Sequence, residues 1–342
     1  MRALVYHGPG KLSVEERPAP NPQKNEVQIQ IKACSICGSD LGAYKHASDR
    51  FMPPLVLGHE FAGVVTAVGK DVTGLMIGDR VSVNPMLYCE ECFSCGRKEY
   101  NLCGNRKSLG TAIGGAPTDG GLQEFINVRE SAVFKLRDEV SYEEGALLEP
   151  MGVCLNCAKT GMTDDEDEVL VIGAGPIGLL IVKFLKALGI KNVMVSDILE
   201  KRLQKAEEFG ASYTINSDSE DVTKKVLEIT NNKGADRVII AAGIGEIINQ
   251  SFDLVRNGGV IVLVALMHEM VTIDPMQIVG RGLKFFGSYM FQREQIEAMN
   301  LLADGKLGVK DIITSSFDVE EAKKAFDILS APNDEIKVQV TF

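Results

Sequence analysis

The sequence is short of three things, and each shortage removes a class of function. It has no long apolar run: the longest uncharged apolar stretch, Val169 to Val182, has 14 residues and is broken by glycines, whereas a membrane span needs about 20. It is short of positive charge. Its 36 Lys and Arg face 47 Asp and Glu, for a net charge of −11, the wrong sign for gripping phosphate backbones, so no nucleic-acid partner is expected. The N-terminus, MRALVYHGPGKLSVEE, lacks the charged, apolar and cleavage regions of a secretory signal. The expectation is a soluble, cytoplasmic protein without a membrane partner. With 342 residues, 45% of them hydrophobic, the chain has material for two domains of about 100–200 residues each.

Cysteine, by contrast, is plentiful. Eight are present, and Cys89, Cys92, Cys95 and Cys103 form C-x2-C-x2-C-x7-C in NPMLYCEECFSCGRKEYNLCGN. In a small secreted chain such spacing reads as disulfides, but no signal supports that compartment. Four thiolates this close in sequence can instead close a tetrahedral shell on one zinc ion, with bonds of about 2.3 Å. The ion then replaces the hydrophobic core that Glu, Gly, Arg, Lys and Asn cannot build. A nucleic-acid zinc ribbon is disfavoured, because Glu90, Glu91 and Glu99 outnumber Arg97 and Lys98 within the segment. A structural zinc lobe over about 85–110 is expected.

The N-terminal part reads as β structure. VQIQIKA alternates apolar Val27, Ile29 and Ile31 with polar Gln28, Gln30 and Lys32, the period of a half-buried strand. FAGVVTAVG and GDRVSVNP give further short strands bounded by glycine and proline. From about Val169 the pattern changes to short Val- and Ile-rich runs, VLVI, NVMVS, YTI, RVIIAA, VIVLVAL and LKFFG, separated mostly by helical stretches. After the first run, Ile177, Ile181, Phe184 and Leu188 line one helix face. Six buried strands alternating with helices predict an α/β fold with a doubly wound parallel sheet. The tail returns to a helix at about 293–302, a second helix behind the N-cap candidate Asp318, and a closing strand KVQVTF. The acidic run DDEDE, residues 164–168, reads as a solvated turn.

VLVIGAGPIGLL supplies Gly173-x-Gly175-x-x-Gly178 directly after a predicted strand and at the opening of a predicted helix, the context that gives the motif meaning. Gly173 permits the tight turn, Gly175 lets the backbone approach a pyrophosphate, and Gly178 lets helix and strand pack closely. The helix end that Pro176 and Ile177 begin offers N–H groups and partial positive charge to phosphates. Asp197 lies 22 residues after Gly175 at the end of the second strand, where a carboxylate accepts from ribose hydroxyls and repels a 2′-phosphate, favouring NAD over NADP. Lys201 and Arg202 could hold that phosphate, but in LEKRLQKAEE they read more simply as a solvated helix face.

Of four histidines, His7, His46, His59 and His268, only His59 has a potential ligand beside it, Glu60, and a cysteine in a glycine-containing loop, Cys37, 22 residues before it. One His near one Cys is usually coincidence. Together, however, CGSD, GHEFAGVV, the four-cysteine lobe, GDRV, ALLEP and VIGAGPIG resemble the zinc-dependent medium-chain dehydrogenases, in particular the sorbitol, butanediol and threonine dehydrogenase branch. The resemblance covers essentially the whole chain.

The resemblance implies a Rossmann domain at 153–289 inserted into a GroES-like antiparallel β catalytic domain made of 1–152 and 290–342. It implies a catalytic zinc held by Cys37 and His59, with Glu60 and Glu149 of ALLEP as carboxylate ligands, direct or through water; such a shell keeps an exchangeable position. Glu149 stands where the alcohol dehydrogenases proper have a cysteine; taken alone, it reads equally as a helix cap before Pro150. Ser39 matches the family's relay hydroxyl, and Asp40 matches the residue that orients the ligand histidine through its other nitrogen. Many relatives carry a histidine five residues after the ligand cysteine. This chain has Gly42 there, leaving His46, or the cofactor ribose and water, to carry the proton out. Cys34, Cys154 and Cys157 read as buried small residues.

The reaction so implied is hydride transfer from a secondary alcohol or polyol to NAD, the zinc acidifying the substrate hydroxyl. The polyol enzymes carry an Arg-Tyr pair after the last dinucleotide-fold strand, where FFGSYMFQRE puts Met290 and Phe291; a pocket without those polar groups reads hydroxyls less well. Tyr44, Phe51, Tyr289 and Met290 are the candidate substrate contacts. A polyol phosphate, with Lys45, Arg50 or Arg293 as partners, and L-threonine are alternatives within the family, although those basic side chains read more simply as surface charge. A zinc-free reductase of the quinone-reductase type and a catalytically silent nucleotide-binding protein are the competing classes; neither needs Cys37, His59, Glu60, Glu149 and Ser39 together. Relatives are dimers or tetramers, so a homodimer or homotetramer is expected, with VIVLVAL and its neighbours the candidate source of an interface strand.

Overall fold

The structure, a computed structural model, describes residues 1–163, 168–267 and 269–342. Residues 164–167 of the acidic run, and His268, lie outside the described residues; Glu168 opens a strand. The chain divides into two compact units, Met1–Pro150 with Gln295–Phe342, and Met151–Glu294. Among the described residues no helix is long and apolar enough to cross a membrane.

The first unit is built on a seven-stranded sheet centred on Glu26–Ser35. Val27, Ile29, Ile31 and Ala33 are buried there, while Gln28, Gln30 and Lys32 stay half-exposed. Each large aliphatic side chain so removed from water contributes about 1.5–3 kcal/mol. Glu60–Val68 runs antiparallel along one edge of this strand, and Phe125–Arg129 and Lys337–Thr341 share the other. The register sets Ser35 opposite both Glu60 and Gln339. The strand end that leads to Cys37 is therefore flanked by one segment bearing Glu60 and another bearing Lys337. Backbones crowd at Gly63, where a Cβ would sit 2.1 Å from the Gln30 carbonyl oxygen. Asp318 does accept from the Glu320 N–H as a cap, but of a single 3-10 turn that leads into the helix Ala322–Ser330.

The second unit holds six parallel strands, β1 (Glu168–Ile172), β2 (Asn192–Asp197), β3 (Tyr213–Asn216), β4 (Ala235–Ile240), β5 (Val255–Leu263) and β6 (Lys284–Gly287). Their order is β3-β2-β1-β4-β5-β6, the doubly wound arrangement in which strand order reverses beside β1. Of VIVLVAL and its neighbours, the run itself begins inside β5, which is paired on both sides and offers no free edge to a second copy. The outer strand on that side is β6. The helix Pro176–Ala187 also buries more than the predicted stripe. Leu179, Leu180, Val182 and Leu185 are buried with Ile181 and Phe184, while Ile177 is half-buried and Leu188 lies past the last turn. A helix apolar on most sides is covered on most sides. Within β4, Arg237 is fully buried and its Nη1 donates to the carbonyls of Ala158 at 2.7 Å and Thr160 at 3.1 Å, capping the negative end of the helix Leu148–Lys159.

Gly63→Ala should cost about 3 kcal/mol or more, because a methyl group cannot share space with a sheet carbonyl. Gly42→Ala, in a helix with nothing within 4 Å of the new carbon, should instead stabilise by about 0.5–1 kcal/mol. Thermal denaturation of the two variants checks the pair, and a stable Gly63→Ala protein contradicts it.

Candidate metal centres and nucleotide site

Cys37 is the N-cap of the helix Gly38–Lys45, and its backbone N–H donates to Asp40 Oδ2 at 3.0 Å. Asp40 is fully buried, and its second oxygen lies 3.6 Å from His59 Nδ1. Both Asp40 Oδ1 and His59 Nδ1 are buried without a hydrogen-bond partner. Donor atoms of Cys37, His59 and Glu60 all lie within 4.8 Å of one another. Glu60 is gripped by a side chain that the sequence did not single out: Lys337 Nζ lies 2.7 Å from Oε1 and 2.6 Å from Oε2, and both partners are buried.

Glu149, in the first turn of Leu148–Lys159, is buried as well, and burial pushes its pKa up to about 7 against the pull of His59. Burial also works against a charged His59, yet Asp40, Cys37 and Glu149 together draw it well above the ordinary imidazole range. A buried histidine held protonated by surrounding anions marks a site short of positive charge. The S, N and O donors, the orphaned Asp40–His59 pair and this charge deficit fit a divalent zinc ion.

The four lobe cysteines are all free thiols, not disulfides. Their Sγ atoms are separated by 3.5 Å (Cys89–Cys103), 3.6 Å (Cys92–Cys95), 3.8 Å (Cys92–Cys103) and 4.0 Å (Cys89–Cys95). A tetrahedron with bonds of about 2.3 Å has edges of about 3.8 Å, whereas a disulfide brings its sulfurs to about 2.05 Å. Backbone N–H groups of Cys95 and Gly104 hold the Cys92 thiol down at about 6, while burial holds Cys95 up at about 12. The lobe fits a second zinc ion.

In the second unit the glycine motif joins β1 to the helix Pro176–Ala187. Gly173 has φ +103° and Gly175 is the N-cap, with Pro176 at the first helical position, where its missing N–H costs nothing. A Cβ on Gly178 would lie 1.8 Å from the Gly173 carbonyl oxygen, so only glycine permits this approach. Asp197 closes β2; its Oδ2 accepts from the Ala174 N–H at 2.7 Å and its Oδ1 from Leu199 N–H at 2.9 Å. Arg202 is half-buried and Lys201 exposed on the next helix, Glu200–Glu208.

Residues 23–138 match the alcohol dehydrogenase GroES-like domain, and residues 176–304 match the zinc-binding dehydrogenase family. The sorbitol dehydrogenase of Bacillus subtilis is 31% identical over 99% of this chain and 97% of its own. The D-arabitol-phosphate dehydrogenase of Enterococcus avium is 32% identical over the same shares, 99% and 97%. The chain belongs to the zinc-dependent medium-chain dehydrogenases. An Escherichia coli protein described as a short chain alcohol dehydrogenase, solved with NADH, superposes with a TM-score of 0.93 at 31% identity, over 100% of this chain and 99% of that one. The dehydrogenase fold is thus a parallel Rossmann-like sheet with a separate antiparallel GroES-like domain, and the activity is that of an alcohol oxidoreductase.

Several expected site residues of this dehydrogenase are placed differently. Tyr44 and Phe51 are core side chains. Tyr44 donates its hydroxyl to Asp327 Oδ1 at 2.7 Å and packs edge-on against Phe326, so it has no hydroxyl proton left for a substrate. Tyr44 is one turn from Asp40 on the same buried helix face, but its ring runs to Phe326 and Asp327 while Asp40 meets His59. His46 is exposed at the opposite helix end from Ser39, about 10 Å along the axis at 1.5 Å per residue, too far to take a proton from it directly. Ser39 is half-buried. Cys34, Cys154 and Cys157 are fully buried. Tyr289 and Met290 lie beyond β6, half-buried, with Met290 at φ +53°.

Zinc should return to the Cys37–His59 site of metal-stripped protein more tightly as pH rises from 6 to 8. Below about 7 Glu149 keeps its proton and His59 is charged, so the ion must displace both; above it the Glu149 proton is gone. Calorimetric titration should show at least a tenfold gain in affinity and proton release that shrinks with pH. A pH-independent affinity would contradict this reading.

Proposed function

We propose that the protein is an NAD-dependent, two-zinc dehydrogenase of secondary alcohols or polyols. The reading is carried by the convergence of Cys37, His59 and Glu60 donor atoms within 4.8 Å, with Asp40 behind the histidine. Cys37 and His59 would hold the catalytic ion, with Glu149 and Glu60 as carboxylate donors, and Cys89, Cys92, Cys95 and Cys103 the structural one. Zinc when bound supplies Lewis acidity that lowers a substrate hydroxyl's pKa, and NAD when bound supplies the hydride acceptor.

The chain's own residues do the rest. Asp40, 3.6 Å from Nδ1, stands on that side of the His59 ring, which leaves Nε2 as the donor nitrogen. Lys337 holds Glu60 at both oxygens, so this carboxylate is a donor that must be shared with an ammonium, and Glu149 is the less encumbered one. Ser39 Oγ would accept the substrate hydroxyl proton while passing on its own; with Gly42 beyond it and His46 at the far helix end, water or the ribose of a bound cofactor would have to carry it out. Asp197 accepts from ribose hydroxyls and repels a 2′-phosphate; Gly173, Gly175 and Gly178 shape the phosphate turn. Tyr289 and Met290 are the proposed substrate contacts, the lack of an Arg-Tyr pair there favouring a diol or a less hydroxylated alcohol. Lys45 and Arg293 are exposed and do not favour a phosphorylated substrate. A cytoplasmic homodimer or homotetramer completes the reading.

NAD-linked oxidation across polyols, vicinal diols, L-threonine, sugar acids and polyol phosphates, with zinc measured on the same sample, tests it. Turnover of one class with two zinc ions per chain is expected. Silence across the panel, with zinc in the cysteine lobe alone, overturns catalysis in favour of a nucleotide-binding protein. Separately, Asp197→Ala should reduce the preference for NAD over NADP, read as a ratio of kcat/KM values, by about tenfold or more, since it removes the repulsion of the 2′-phosphate. An unchanged ratio places the discrimination elsewhere.

A further inference from the structure

Among the described residues, five other than glycine have positive φ, and Met290, at +53°, is the one without a short polar or charged side chain. A side chain with a Cβ is disfavoured in this region by roughly tenfold in population, so something must hold it. The observed partner is Asn156, on the helix Leu148–Lys159, whose Nδ2 donates to the Met290 carbonyl at 2.8 Å and lies 3.4 Å from Ser288 Oγ. That helix is itself anchored, because Arg237 binds the carbonyls at its end. The connector from β6 is fixed on either side of Met290: the Ser288 N–H donates to the Leu263 carbonyl at 2.9 Å, and Phe291 is buried. Met290 keeps a half-exposed side chain between these two fixed points.

We propose that Asn156 is a positioning residue for substrate selection: its hydrogen bond holds Met290 in the left-handed conformation and thereby sets the direction in which Met290 presents its side chain to the alcohol. This rests on the reading above that Met290 contacts the substrate. Relaxation of Met290 to negative φ would swing its Cα–Cβ bond, while Ser288 and Phe291 kept their places. The Asn156 amide, bonded to the Met290 carbonyl and near Ser288 Oγ, then acts on specificity through Met290. Strain held at a site by one well-placed bond is a recognised way of pre-organising it.

The test compares Asn156→Leu, Met290→Ala, Met290→Gly and the double variant Asn156→Leu/Met290→Gly in the zinc-loaded enzyme, with 2,3-butanediol, sorbitol and xylitol as probes. Asn156→Leu should raise KM for the alcohol at least fivefold, leaving kcat and KM for NAD within twofold. Glycine adopts the left-handed region freely, so the double variant should return to the KM of Met290→Gly alone. Without any substrate, the melting temperature should fall by about 2 °C or more in Asn156→Leu and recover in the double variant. No change in Asn156→Leu, or no recovery with glycine, overturns the proposal. If Met290→Ala shifts the order of alcohols while Asn156→Leu does not, the substrate reading stands and the role of Asn156 falls. If Met290→Ala leaves both KM and that order unchanged, the substrate reading of this segment falls, and the proposal with it.

Discussion

A buried volume that gathers the carboxylates of Asp40, Glu60 and Glu149 against one lysine and one histidine is short of positive charge. Buried anions are costly unless paired, and this imbalance is the constraint on which the first unit depends. It explains why Lys337 is retained inside a sheet, why His59 is pulled toward its protonated form, and why Glu149 holds its proton near neutrality. A divalent cation relieves all three at once. The binding site and the electrostatic weak point of the fold are the same atoms.

The sheet makes that gathering possible. Cys37, His59 with Glu60, Glu149 and Lys337 come from four separate stretches of chain. Antiparallel register along Glu26–Ser35 brings three of them to one strand end, and the close approach at Gly63 keeps that register tight. The cysteine lobe needs no such frame, because its four sulfurs lie within 15 residues and already form nearly tetrahedral edges.

Local signals were therefore the legible ones. The glycine turn, the strand alternation of VQIQIKA and the cysteine spacing each follow from a few adjacent residues whose physics is nearly independent of the rest. What the sequence concealed depends on distant partners. In KVQV, Lys337 and Gln339 look like a solvent face, yet both are buried because that face meets Glu60 on one residue and Ser35 on the other. Tyr44 sits one turn from Asp40 and invited a role at the site, but its hydroxyl answers to Asp327, 283 positions away. Asn156 carries no motif at all; only the backbone angle of Met290 reveals it.

The discontinuity of the first unit has a consequence for synthesis. Its central strand and Glu60 leave the ribosome long before Lys337, and the whole second unit, Met151–Glu294, is made in between. That second unit is continuous and can fold as soon as its last strand emerges, in keeping with domains folding as units. The first cannot complete its sheet edge or neutralise Glu60 until Lys337–Thr341 arrives. The half of the molecule that begins first thus finishes last, and until then it presents an open strand edge of the kind that quality control and aggregation both recognise.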